Sequence, residues 1–324
     1  WLRVVLALGG LALGWHGELW LALMALWFIV RWESPEAHKS LLVWVAIGAS
    51  WYGLRAIPAW AWDWIIWAWL AIATYQVGLL VWGQFHMTDQ EKAHFSRPSL
   101  GTRWKSTHGS PAISALALAF VAPFAPWWFW PILATGLYIT WSWLAFIAVA
   151  VGLAWTHPGY APHALLGIVG LLALWGLTWF VRRHSINGQR LFEWAPRGDS
   201  VDSVINRLIL WYLIPKAWWT GPRWFGRGPY SLDPELKRWT SRCWIELPTG
   251  EAHCEWAQML YEYGLVGAAA AMVFIGRVVW HAAPGDPWTA AFLAGVVMTL
   301  AHWAPCRHPA IALAWLTIAA GVVR

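Results

Sequence analysis

Charged side chains are scarce in this sequence. Only 12% of its 324 residues are Asp, Glu, Lys or Arg, about half of the roughly 25% found in soluble domains. The scarcity is uneven, because no charged residue occurs between Pro111 and Val181, a stretch of about 70 residues. Successive membrane spans of roughly 20 apolar residues fit such a stretch, and a buried helix of a soluble protein does not. The composition therefore predicts an all-α integral membrane protein.

Cysteine is also rare, since Cys243, Cys254 and Cys306 are the only three. Three thiols are too few for a disulfide scaffold. A single Cys243–Cys254 bridge remains open, as does the packing of Cys254 as a small apolar residue. Zinc-type cysteine patterns, Gly-rich phosphate loops and nucleic-acid motifs are absent, so we expect no nucleic-acid partner. The apolar start lacks a charged n-region and a cleavage site, and we expect it to be a span rather than a signal peptide.

Tryptophan is abundant instead, with 34 copies. Those within residues 127–130 fit an aromatic belt at the level of the lipid headgroups. Trp218, Trp219 and Trp224 lie in a polar stretch and fit a stacking platform for sugar rings. A general compositional habit of the source explains the same abundance.

Apolar segments predict about 10–12 transmembrane helices. The individual spans are expected near residues 2–15, 19–30, 41–54, 60–81, 113–125, 127–139, 143–155, 162–181, 263–280, 287–303 and 309–323. The pair 127–139 and 143–155 is ambiguous, because one kinked or re-entrant helix fits it equally well.

The polar residues divide the chain into three parts. Residues 1–181 form N-terminal spans with a polar loop at about 83–110, residues 182–262 form one large loop, and residues 263–324 form C-terminal spans. The large loop holds 11 of the 22 Lys and Arg and 9 of the 16 acids. This near balance predicts a folded module with short helices rather than a basic tail. Within it, residues 203–214 have the spacing of an amphipathic helix on the membrane surface.

The segment from His253 to Gly267 carries the clearest chemical signal. We expect His253 in the first turns of a helix with Thr249 as its N-cap, and Gly264 and Gly267 to admit a neighbouring helix closely. A helix N-terminus disfavours imidazolium, so His253 is expected to be a neutral base near pH 7, and it attracts anions. A loop or interface histidine is the plainer interpretation.

This segment resembles the signature of the O-antigen ligase and polymerase superfamily, in which His and a small or polar residue are followed nine residues later by Gly-x-x-Gly. Further motifs of this sequence resemble that family in the same order, namely residues 106–111, Thr140-Trp141-Ser142, Arg207 with Trp211, Phe225-Gly226-Arg227-Gly228-Pro229, and His302 with the prolines after it.

The resemblance implies a glycosyltransferase of the bacterial inner membrane, with the large loop in the periplasm. Its donor would be an undecaprenyl-diphosphate-linked glycan, and its acceptor a glycan, lipid A-core or a protein. His253 would be the general base. Arg207 would hold the diphosphate through a forked, bidentate contact. The remaining expected substrate contacts are Arg227, Arg103, Lys105, Gln258, Glu262 and His302. The family works without a metal, and no cofactor is expected.

Two departures from the family pattern qualify this expectation. Cys254 stands where the family has Asn, Ser or Gln, and Trp143 stands where a diphosphate-gripping Arg is usual. Arg103 or Lys105 would have to replace that Arg. A non-catalytic relative therefore stays open, as does a transporter or flippase of lipid-linked or anionic substrates. A zinc site built from the histidines and cysteines of residues 243–254 and 302–308 is a further alternative.

Overall fold

The chain is helical throughout the part that the structure describes. The computed structural model describes residues 18–30, 35–86, 111–140, 142–163, 201–229, 231–243, 254–299 and 309–324, with several positions between 165 and 177. No strand occurs among these residues, and the prediction of an all-α chain is confirmed for them.

The structure describes eleven α-helices. In chain order they are α1 (Leu19–Val30), α2 (Pro35–Arg55), α3 (Ala59–His86), α4 (Pro111–Val121), α5 (Trp130–Thr140), α6 (Trp143–Thr156), α7 (Val201–Trp219), α8 (Leu232–Cys243), α9 (Glu255–Trp280), α10 (Pro287–Thr299) and α11 (Pro309–Val323). Proline is the first residue of α2, α4, α10 and α11. Its fixed φ suits a first helical turn, where the missing N–H would have no intrahelical partner.

Two compact units divide the described residues. The first comprises residues from 1–57, 202–282 and 299–324. In it α1 packs along α9, and α2 packs along α11. The described part of the large loop also has its own hydrophobic core, where α7, α8 and the start of α9 meet. This core contains Leu210, Ile214, Leu232, Leu236, Ala257 and Tyr261.

The second unit comprises residues from 58–201 and 283–298. In it α4 packs against α3, α5 and α6. The Trp288 ring is buried, 4.9 Å from the Trp62 ring and 4.7 Å from the Phe124 ring. Just before it, the Asp286 carboxylate accepts from the backbone N–H of Thr289 at 2.8 Å, which caps the start of α10.

The helices agree with several predicted spans and refine others. Residues 19–30 and 309–323 are helical as predicted, and the ambiguous region 127–155 contains two helices, α5 and α6, rather than one. The helix that was predicted to start after Thr249, with an apolar span from residue 263, begins at Glu255 instead, so its first turns belong to the stretch assigned to the large loop.

Two of the described helices are long and apolar enough to cross a membrane, by length and composition. They cover Ala59–Trp82, with a mean hydropathy of 1.7, and Glu255–Trp280, with 1.6. Shorter apolar helices occur at Ala115–Phe124, Leu144–Thr156, Pro287–Thr299 and Ala312–Val323. The full number of spans stays a prediction.

Candidate functional site

Helix α9 is interrupted at Gly264. This residue has φ 68° and ψ −164°, far from helical values. The break removes the usual i to i−4 partners from backbone groups on both sides of it. Such groups need other partners, above all in an apolar environment.

A loop of residues 222–228, hereafter the Gly226 loop, supplies those partners. On one side of the break, the N–H groups of Arg227 and Gly228 donate to the carbonyls of Tyr261 and Glu262, at 2.9 and 2.8 Å. On the other side, the loop carbonyls of Arg223 and Trp224 accept from the N–H groups of Leu265 and Val266, at 2.9 and 3.0 Å. The loop thus replaces the missing helical hydrogen bonds in both directions.

Two glycines make this backbone approach feasible. A Cβ atom at Gly226 would overlap the Glu262 carbonyl, and a Cβ atom at Gly264 would overlap the backbone of Trp224 and Gly226. Both residues also have positive φ, at 62° and 68°. The sequence predicted a neighbouring helix at Gly264, whereas the close neighbour there is this loop. Gly267 instead makes room for the Tyr263 side chain of its own helix.

The Gly226 loop is also held from α1. The Trp27 indole donates to the Phe225 carbonyl at 2.9 Å, and its ring lies 5.0 Å from the Tyr263 ring. The Trp27 side chain is fully buried. Because indole N–H groups are normally paired when buried, this contact fixes the loop against the helix bundle of the first unit.

Polar side chains line one buried face at the start of α9. Glu255, Gln258 and Glu262 are spaced at i, i+3 and i+7, and each is at most 5% exposed. The Gln258 amide donates to the Glu262 carboxylate at 3.4 Å, and the Leu232 N–H donates to the same carboxylate at 3.5 Å. Glu262 therefore joins α8 to α9 and lies inside the protein.

Arg227 belongs to the Gly226 loop, and in contrast to Glu262 its side chain is exposed. Its guanidinium is 5.3 Å from the Tyr261 ring and donates to the Ala217 carbonyl at 3.5 Å. These contacts orient the side chain while leaving it accessible. An exposed guanidinium over an aromatic ring retains N–H donors for an anion.

The helix that carries this face begins one residue after Cys254. Cys254 is the N-cap of α9, where the sequence predicted Thr249. It is a free thiol, and burial raises its pKa above the usual range, outweighing the nearby backbone N–H groups that lower it. His253 lies immediately before this N-cap and outside the described residues, so its catalytic role stays a prediction.

The predicted substrate contacts divide into two groups. The structure brings Arg227, Gln258 and Glu262 together around the break in α9. Arg207 belongs to α7, but its side chain lies outside the described residues. Arg103, Lys105 and His302 lie wholly outside them. The Trp143 side chain is likewise outside, although α6 begins at that residue.

An apolar groove, partly open to the surroundings, lies in the first unit. Glu255 and Trp256 line it at the start of α9, and Met259 and Phe274 line it on either side of the break. Trp315 of α11 closes another wall. The groove thus runs past the first residues that follow His253 and Cys254.

A second charged cluster was missed by the sequence analysis. The buried Glu18 carboxylate lies 3.0 Å from a guanidinium nitrogen of Arg55 and 3.2 Å from one of Arg277. It also accepts from the indoles of Trp20 and Trp51, at 2.8 and 3.0 Å. In the sequence, Glu18, Arg55 and Arg277 stand out only as single charges at the edges of apolar segments.

Metal-binding side chains do not converge in the described ranges, where no three His, Cys, Asp or Glu residues form a group. Among the His and Cys residues of the alternative zinc site, only Cys254 has a side chain that the structure describes. Comparison of the chain with protein-family models, curated proteins and solved structures gave no match in any of the three.

Proposed function

We propose that this chain is an integral membrane glycosyltransferase of the O-antigen ligase and polymerase type, in a bacterial inner membrane. The observation that carries the proposal is the pairing of the Gly226 loop with the broken helix α9. The two sequence motifs that resemble that superfamily, around Gly226 and Gly264, are distant in the chain yet share backbone hydrogen bonds. Neither glycine tolerates a Cβ atom at that contact.

The reaction would transfer a glycan from an undecaprenyl-diphosphate donor to an acceptor hydroxyl. The hydroxyl oxygen forms a bond to the sugar C1 while the bond from C1 to the phosphate oxygen breaks, and its electron pair leaves with the diphosphate. His253 takes the hydroxyl proton. Arg227 meets the negative charge that develops on the diphosphate, assisted by Arg207.

The apolar groove offers a compatible surface for the lipid part of such a donor. A polyprenyl chain has no polar groups, so it gains free energy from contact with aromatic and aliphatic side chains such as Met259 and Phe274. The groove passes Glu255, two residues after His253, which would keep the diphosphate close to the proposed base.

Complementation of two Gram-negative strains tests the proposal, one lacking its O-antigen ligase and one its polymerase. The proteins compared are the wild type, His253→Ala and Arg227→Gln, at matched levels in the membrane. We expect the wild type to restore the lipopolysaccharide ladder in one strain, which names the subclass. Loss of a general base lowers the rate about 10²–10⁴-fold, so His253→Ala should abolish the ladder.

Arg238→Gln provides the matched control for the arginine. Arg238 is exposed on α8 and pairs with Glu235 in the same helix, at 3.1 Å. This variant should rescue as the wild type does. Full rescue by His253→Ala contradicts the proposed base, and equal rescue by both arginine variants contradicts a role for Arg227 in holding the diphosphate.

A transporter or flippase is the second candidate, and the Glu18 cluster is the observation that favours it. Ionisable groups buried within helical membrane proteins commonly mark substrate pathways, and Glu18 is only 1% exposed. For a transporter, Glu18→Gln at matched membrane levels should abolish substrate movement, whereas His253→Ala should leave it intact. For the glycosyltransferase, His253→Ala should abolish the ladder, and Glu18→Gln should lower it only through the loss of protein stability.

A further inference from the structure

Helix α7 presents an aromatic face that is exposed among the residues that the structure describes. Leu208, Trp211, Tyr212, Lys216 and Trp219 occur at i, i+3, i+4, i+8 and i+11, so they share one side of the helix. All five are exposed, Tyr212 to 64% and Trp219 to 59%. The opposite side carries the buried Leu210 and Ile214 of the loop core.

The same surface continues into the Gly226 loop and is uniformly cationic. Trp224 is 66% exposed, and Lys216, Arg223 and Arg227 are exposed as well. Residues 208–228 contain these three cations and not one acidic residue. Exposed aromatic surfaces rimmed by polar residues are typical of interaction sites and membrane-binding surfaces.

Cations and rings are arranged as they are at a membrane interface. The Arg223 guanidinium lies 4.1 Å from the centre of the Trp219 ring, and the Lys216 ammonium 5.6 Å from that of Tyr212. Aromatic rings favour the headgroup level, where Lys and Arg extend to lipid phosphates. We propose that this surface, Leu208 to Arg227, docks onto the anionic lipid headgroups of the membrane and fixes the Gly226 loop there.

A glycan platform is the competing occupant, and the structure favours it less. Arg223 already covers one face of Trp219, which removes that face from stacking. Sugar hydroxyls also need hydrogen-bond acceptors, but residues 208–228 contain no Asp, Glu, Asn or Gln. Anionic headgroups accept hydrogen bonds, and Lys216, Arg223 and Arg227 supply the donors.

Spin labelling of the full chain in lipid nanodiscs tests the docking. A nitroxide is attached through Leu208→Cys, in a background where the three native cysteines are serine, and Lys237→Cys on α8 reports the control position. We expect the label at position 208 to collide preferentially with oxygen, and the label at 237 with a water-soluble nickel complex. Adding phosphatidylglycerol to phosphatidylcholine nanodiscs should increase the immobilised fraction at 208.

Charge variants then distinguish docking onto anionic lipid from burial of the label inside the protein. Each of Lys216→Gln and Arg223→Gln should lower the ratio of immobilised to mobile label in anionic nanodiscs about fivefold. Lys237→Gln removes the same charge elsewhere and should leave the ratio unchanged. Equal nickel access at 208 and 237 in both lipids overturns the proposal. Immobilisation by maltoheptaose instead of phosphatidylglycerol overturns it too, and identifies a glycan platform.

The inference depends on the chain lying in a membrane, and does not depend on glycosyl transfer. Loss of docking with an intact lipopolysaccharide ladder would therefore leave the proposed function standing. Docking without a lipopolysaccharide ladder would support this inference and count against the proposed function.

Discussion

At the scale of single residues, the Glu18 carboxylate is buried and holds several charged and polar side chains together. It lies between Arg55 and Arg277 and accepts from two indoles. Its two oxygens therefore face four donor side chains, which belong to α1, α2 and α9. Bonds between ionised partners in a low-dielectric site are stronger than neutral ones.

Neutralising this carboxylate should destabilise the protein. Glu18→Gln removes the negative charge that Arg55 and Arg277 share, and because both guanidinium groups are partly exposed we expect a loss of about 1–3 kcal/mol. Glu235→Gln is the control, because the Glu235–Arg238 pair lies at the surface and contributes about 0–1 kcal/mol. Thermal unfolding in detergent measures both. Equal shifts in Tm would mean that the Glu18 cluster contributes no more than a surface pair.

Cys254 should react slowly with alkylating reagents. Because burial raises the pKa of its thiol, the thiolate fraction at neutral pH is smaller than that of an ordinary cysteine, and the thiolate is the reactive species. In a Cys243→Ser, Cys306→Ser background, the iodoacetamide rate should rise only at more alkaline pH. The unfolded protein provides the reference rate. Identical rates for folded and unfolded protein at neutral pH would contradict the prediction.

At the scale of elements, the interruption of α9 and the Gly226 loop form one unit of structure. Each supplies hydrogen-bond partners that the other lacks. The Gly and Pro residues of 225–229 are typical of a turn, and the apolar run 263–280 predicts a helix; the structure has a loop and a helix at these positions. Their pairing was not predictable, because it depends on long-range backbone contacts that leave no periodic signal.

Adding a methyl group at the contact should disrupt it. Gly264→Ala and Gly226→Ala each combine positive φ with overlap of the neighbouring backbone, so we expect a loss of at least about 3 kcal/mol. Gly276→Ala is the matched control in the same helix, since its Cβ would meet open space. Alanine there should stabilise the helix by about 0.5–1 kcal/mol. Denaturation curves showing similar stability for all three variants would rule out a tight contact.

The start of α9 shows where helix prediction from the sequence was wrong. Thr249 was the predicted N-cap and residue 263 the start of the apolar run, but Cys254 is the N-cap. The capping oxygen of Thr249 is a strong local preference. Tertiary packing prevailed over it, because the turns from Glu255 bury Ala257 and Tyr261 in the loop core.

At the scale of the whole molecule, the charges of the first unit bear on its orientation. Arg55 ends α2, and Arg277 lies in the last turn of α9, and both contact Glu18. These two cations therefore lie at the same end of the unit. By the positive-inside rule we predict that this end faces the cytoplasm. The 11 Lys and Arg of the large loop run against that rule if the loop is periplasmic, so the orientation needs a direct test.

Labelling in intact cells tests this orientation. In a cysteine-free background, Lys237→Cys on α8 should react with a membrane-impermeant maleimide added to the periplasm, and Trp280→Cys should react only after the inner membrane is opened. Both positions are exposed, so the side of the membrane that the reagent reaches, and not burial, decides the result. Reaction of both positions from the same side would contradict a spanning α9.

The sequence by itself determined the helical class, the apolar segments and most helix starts. These depend on local composition, proline at the first turn and apolar length, all of which can be read along the chain. Gln258, Glu262 and Arg227 were also selected from the sequence, although their substrate contacts stay predictions.

Only the tertiary structure decided which of these residues meet. It buried Glu262 between α8 and α9, joined the Gly226 loop to the break at Gly264, and gathered Glu18, Arg55 and Arg277 into one cluster. Each contact joins residues far apart in the chain and depends on backbone approach or charge desolvation. Close backbone approach and charge desolvation leave no local pattern in the sequence, because both arise only when separate helices pack together.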